Sequence, residues 1–241
     1  MMWLSNIRKI MKLELSDILS NFLTKKISQV QMSGKDFEDC FEKELILNGI
    51  EKVEFSFDKE MKKTIMSSDT LIPNTFNIYG YVREPFNTQS FPDFIIFDKK
   101  YLIPIEIKSS KDSDKPMWNN SLPKQYATYI FMAYAENLAL REIVYFMGKD
   151  VITKEATVIF ANKMKEVQKA GKFTKEELDV FDQYKYGWDT YVRVNYQQSI
   201  HGSNTYPSFV NNPNKIQNNQ NVIRYLKSLS WWYLLFNKRG I

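Results

Sequence analysis

The stretch Phe91-Pro92-Asp93-Phe94-Ile95-Ile96-Phe97-Asp98-Lys99-Lys100-Tyr101-Leu102-Ile103-Pro104-Ile105-Glu106-Ile107-Lys108 decides the fold. It reads as an apolar strand opening on an acid, a Lys99-Lys100 turn, and a second strand running from Tyr101 through Ser110. If the two strands pair as a hairpin, position 98 faces 101 and every opposed pair sums to 199. Asp93 then faces Glu106. Side chains alternate with period two and cross-strand partners share a face, so Lys108 joins them. Lys-Lys is not a favoured type I′ turn, so the turn adds nothing to this register.

Two carboxylates facing each other repel, and such a pair survives when one is protonated or a cation sits between them. Oxygen donors without histidine or thiolate favour Mg²⁺, with Mn²⁺ as a substitute. The Ile107 carbonyl is a candidate further oxygen, and Lys108 is placed to orient an attacking water. That combination suits phosphodiester hydrolysis. The plainer alternative makes Asp93 a strand cap and Glu106 and Lys108 a solvated face. Against it, apolar residues surround all three, and buried charges are costly unless paired or metal-bound.

Composition narrows the chemistry. The chain has 241 residues, a formal charge of +5, 44% hydrophobic residues, 14 Tyr, 17 Phe and 5 Trp, which suits one domain with a sizeable core. Its one cysteine, Cys40, excludes a disulfide framework and cysteine-pair zinc sites within the chain. Its one histidine, His201, excludes two-imidazole mechanisms and H-E-x-x-H metalloproteases. The longest apolar run, Tyr129 to Ala135, is far below the ~18 residues of a membrane span. Charges at Arg8, Lys9, Lys12, Glu14 and Asp17 interrupt the N-terminal segment, against a signal peptide. A cytoplasmic, reduced protein without membrane association is expected.

Helical spacing predicts a helix over 3–30, and a second from Ser33, with Phe37, Phe41 and Leu45 on one face, ending at Asn48-Gly49. Strands are expected at Val53–Phe57, 127–134, 142–147, 156–161 and Tyr191–Tyr196. A helix and an irregular strand are expected within 58–90, a helix from Thr174 through Tyr184, and a last helix from near Asn221 through Leu235. Interleaved helices and strands predict an α/β fold, a mixed central sheet flanked by helices. One domain over 1–241 is expected, with a core at about 33–165 and appended elements at 166–241 and 3–30.

Pro92-Asp93 followed by Glu106-Ile107-Lys108 resembles both halves of the PD-(D/E)XK nuclease motif. The resemblance implies a restriction endonuclease-like core in which Asp93 and Glu106 bind Mg²⁺ and Lys108 assists the attacking water. Gly34-Lys35-Asp36-Phe37-Glu38 is similar to the helical element that often carries a further acid, making Glu38 the leading candidate and Glu42 the alternative. Trp118-Asn119-Asn120-Ser121-Leu122-Pro123, Tyr129-Ile130-Phe131 and Val144 through Asp150 look like a loop-and-strand pattern of type II restriction endonucleases. Gln125 and Tyr129 also match the Q-x-x-x-Y of exonuclease-like branches, where it lies on a helix. The strand reading is favoured because Tyr-Ile-Phe is β-prone.

The resemblance implies a site-specific endonuclease acting on double-stranded DNA as a homodimer, leaving 5′-phosphate and 3′-hydroxyl ends, with a cognate methyltransferase as companion. Lys111, Lys115, Lys124, Asn119 and Asn120 are candidate DNA contacts near the motif. Gln197, Gln198, Ser199, His201, Ser203 and Asn204 are candidate base readers in a C-terminal recognition region, beside the amide-rich Asn211–Asn221. The alternatives are a structure-specific repair nuclease or junction resolvase of the same superfamily, and a non-catalytic nucleic-acid-binding module.

Overall fold

Alternation along residues 94–108 sorts side chains onto two faces, and the rest of the chain is arranged to cover both. The computed structural model describes residues 14–24, 34–119, 121–137, 139–170, 195–196 and 208–236. Its helices are α1 (Leu15–Thr24), α2 (Gly34–Leu47), α3 (Lys59–Ser67), α4 (Lys154–Ala170) and α5 (Lys215–Phe236). The strands are β1 (Ile72–Pro73), β2 (Gly80–Arg83), β3 (Phe94–Phe97), β4 (Tyr101–Lys111), β5 (Trp118–Asn119), β6 (Thr128–Tyr134), β7 (Leu140–Met147) and β8 (Asn195–Tyr196).

The main sheet runs β2-β3-β4-β6-β7, with β1 also paired to β4. Its pairings are antiparallel except β4 with β6, so the sheet is mixed. β5 and β8 form a separate two-stranded ribbon. β3 and β4 pair Phe94 with Ile105 and Phe97 with Leu102, the predicted register, and the Asp98 N–H closes the hairpin on the Tyr101 carbonyl at 3.0 Å.

One sheet face, carrying Phe94, Ile96, Ile103, Ile105, Ile107, Ile130, Met132 and Tyr145, packs under α1, α2 and α5. The helices meet it through Ile18 and Phe22, Phe37 and Phe41, and Val222 and Leu226. α2 ends where expected: Gly49 adopts φ 77°, and the N–H groups of Gly49 and Ile50 return to the carbonyls of Ile46 and Leu45. The other face carries two apolar clusters, one around Ile95, Phe97 and Leu102 and one around Trp118, Tyr129, Phe131 and Phe146.

Several expected elements differ. Residues 53–57 form no strand, with an isolated bridge just before them, Lys52 with Tyr81, because Phe55 and Phe57 are drawn into a ring cluster with Phe76 and Phe97. Residues 156–161 are helix within α4, despite their β-prone run. The Thr153 hydroxyl accepts the Ala156 N–H at 3.1 Å, and Glu155 stands in the first turn. The last helix begins at Lys215, so much of the amide-rich stretch is helical, and buried Asn219 accepts the Tyr145 N–H at 2.7 Å. Of the strand expected at 127–134, Thr128–Tyr134 is strand. The helix expected at 174–184 lies outside the described residues, as do most of 3–14 and 25–30 and the cap at Ser33. Among the described residues no helix is long and apolar enough to cross a membrane.

Candidate active site

Continuing the β3–β4 register by one pair sets Asp93 against Glu106 at the point where the ladder ends. Both belong to the face opposite the α1, α2 and α5 layer, at the seam between the two apolar clusters. The Ile107 N–H donates to Asp93 Oδ2 at 2.6 Å. In a strand, N–H and C=O of one residue point the same way, so the Ile107 carbonyl faces the position of Pro92, which has no N–H to offer. Lys108 Nζ donates to Glu106 Oε1 at 2.6 Å and lies 6.0 Å from the Trp118 ring centroid. Glu106 is buried, and its Oε2 has no hydrogen-bond partner among the described residues.

These residues line a cavity of about 520 Å³. Its remaining wall consists of Met66, the loop Thr88-Gln89-Ser90-Phe91, Ser121 and Lys124. Behind it, β4 and β6 pair Glu106 with Tyr129 in parallel register, and Tyr129 stacks on Phe146 with ring centroids 5.2 Å apart. The Tyr129 hydroxyl accepts the Lys124 N–H at 2.8 Å.

Burial and the neighbouring Glu106 push Asp93 up to about 8, against the pull of the Ile107 N–H and the Lys108 charge. Burial also lowers Lys124, with Asp69 and Glu106 opposing that shift. Tyr129 is raised well above the ordinary tyrosine range by burial and Glu106. Glu38 is raised by burial against the stabilising Arg83 charge.

Arg83 organises a second cluster on the helix-facing side. Its guanidinium reaches Asp39 at 2.6 Å, Glu42 at 2.6 Å and Glu38 at 3.2 Å, and the Tyr81 hydroxyl donates to Glu42 at 2.8 Å. Glu38 and Glu42 are therefore both held in the Arg83 ion-pair cluster and neither lines the cavity, although the Glu38 charge still bears on Asp93.

The structure thus brings together Asp93, Glu106, Ile107, Lys108 and Lys124. Lys111 is exposed at the end of β4 and Lys115 sits in the following turn, and neither lines the cavity. Asn119 pairs through its backbone with Asn195. Asn120, Gln197, Gln198, Ser199, His201, Ser203 and Asn204 lie outside the described residues.

Sequence reasoning missed Arg83, the Thr88–Phe91 loop and the backing of the cavity by Tyr129. The acids of the Arg83 cluster lie 41 to 45 residues before it, so no local spacing marks them. The one available signal was an arginine closing an apolar strand.

Among the described residues no group of three or more His, Cys, Asp or Glu is placed to hold a metal ion. Two carboxylates and one carbonyl nevertheless form a hard-oxygen donor set, with one buried carboxylate oxygen lacking a partner. Such a set fits a small divalent cation that keeps several of its waters. No family model, curated protein or solved structure matches the chain.

Proposed function

We propose that this chain is a Mg²⁺-dependent endonuclease of the PD-(D/E)XK kind that hydrolyses phosphodiester bonds of double-stranded DNA, with Mn²⁺ able to substitute. The observation that carries the reading is the facing pair Asp93 and Glu106, with an unpartnered buried oxygen, in one cavity with Lys108. Asp93, Glu106 and the Ile107 carbonyl would hold the cation. When bound, it supplies positive charge against the phosphate and acidifies water.

The chain's own residues do the rest. Glu106 fixes the Lys108 ammonium at 2.6 Å, so that Lys108 can hold an attacking water on the cavity side. The Ile107 N–H orients the Asp93 carboxyl. Trp118, Tyr129 and Phe146 form an apolar backing that keeps bulk water from the donors' far side.

Cutting at a short specific sequence as a homodimer, with a companion methyltransferase, is the finer form of the proposal and rests on sequence resemblance. Purified protein incubated with plasmid, with and without Mg²⁺, tests both levels. Cleavage is expected only with the metal, and discrete fragments support sequence-specific cutting. Cleavage confined to branched DNA would favour the resolvase alternative. Asp93→Ala and Lys108→Ala should each lower cleavage by orders of magnitude while DNA binding persists. Undiminished cutting by either variant would remove the mechanism.

A further inference from the structure

Lys124 stands apart from the other lysines. It lines the same cavity as Asp93, Glu106 and Lys108 and is half-buried. Lys108 is ion-paired, whereas among the described residues no carboxylate lies within salt-bridge distance of Lys124. A desolvated cation whose nearby carboxylates, Asp69 and Glu106, offset only part of its burial is costly, and an anion entering the cavity would relieve that cost.

Its backbone is also fixed from several sides. The Lys124 N–H is held by the Tyr129 hydroxyl at 2.8 Å, and its carbonyl accepts the Ala127 N–H at 3.1 Å. The next residues are tied down as well: Tyr126 N–H donates to the Ser68 carbonyl at the end of α3, and Lys149 N–H to the Gln125 carbonyl. Gly148 presses so closely that a Cβ there would stand 1.9 Å from the Lys124 carbonyl oxygen. An exposed lysine serving only a general phosphate contact needs none of this rigidity.

We infer that Lys124 is a second catalytic cation, contacting a non-bridging oxygen of the scissile phosphate across the cavity from Glu106. The inference rests on the nuclease reading and deepens it. In the reaction, water oxygen bonds to phosphorus and the P–O3′ bond breaks. One water proton ends on the departing O3′, and the other on the new 5′-phosphate or in solvent. Lys124 transfers no proton. It neutralises the negative charge that accumulates on the phosphoryl oxygens, a contribution that grows in the transition state.

The test compares steady-state cleavage by the wild type, Lys124→Met, Lys124→Arg and Lys108→Ala in Mg²⁺, and duplex binding in Ca²⁺. Lys124→Met is expected to lower kcat about 100-fold, with KM and Ca²⁺-supported affinity within about threefold of wild type. Lys124→Arg, which keeps the charge, is expected to recover at least about tenfold of that loss. A groove contact would raise KM and leave kcat alone, and a structural role would not be rescued by charge. Either result overturns the inference. If Lys124→Met does not fold, Lys124→Gln is measured in its place against the same outcomes. A wild type that cuts no DNA sinks the nuclease reading and this inference with it. A wild type that cuts, with Lys108→Ala inactive and Lys124→Met unimpaired, sinks this inference alone.

Discussion

Asp93 keeps a proton far above the pH at which an ordinary aspartate loses it, because burial and Glu106 both oppose a second negative charge. Two measurable consequences follow from the shift from 3.8 to about 8. The folded state binds this proton more tightly than the unfolded chain. The associated stability is therefore full below about pH 4 and is lost as pH rises through about 8. Urea unfolding of the metal-free protein should show that decline, and Asp93→Asn should abolish it. On the proposed reading a cation would compete with the same proton, so Mg²⁺ affinity should rise with pH, approaching tenfold per unit below about 8 and levelling above it. Calorimetric titration in two buffers of different ionisation enthalpy would detect the released proton. A flat profile would show that Asp93 does not ligate the ion.

At the level of elements, Arg83 joins β2 to α2 through Glu38, Asp39 and Glu42. Arg83→Met would leave these carboxylates crowded around an apolar side chain, with an expected loss of about 3 kcal/mol measured by urea unfolding. Glu38→Gln keeps Arg83 paired with the other two acids, so its effect on stability should stay below about 1 kcal/mol. A large drop in cleavage by that variant would mark Glu38 as an accessory acid rather than an anchor. The β3–β4 hairpin was legible because its partners are sequence neighbours and its two apolar runs are bounded by Asp93, Asp98-Lys99-Lys100 and Glu106. Residues 156–161 misled because propensity there is overruled by the Thr153 cap. The Arg83 cluster, and the placing of Lys124 in the same cavity wall as Glu106, depend on how distant segments pack, and periodicity carries no record of that. The facing acids were thus readable, while the wall enclosing them was not.

Across the whole molecule, helices from the two ends of the described chain share one core: Phe22 of α1 meets Phe41 of α2, which meets Phe94 of β3, while α5 packs against α1 and β7. Phe41 is fully buried. Phe41→Ala should therefore cost about 3–5 kcal/mol, with tryptophan fluorescence and far-UV circular dichroism shifting together in one urea transition. The one parallel pairing among the described strands, β4 with β6, has a further consequence during synthesis. On the ribosome the β3–β4 hairpin is complete before β6 has been translated, so Ile105–Lys111 emerges as a bare strand edge. Bare apolar edges recruit stray strands from other chains, and ionised groups deter them. Glu106, Lys108 and Lys111, the charged residues of that edge, would thus first serve the nascent chain as a guard against aggregation.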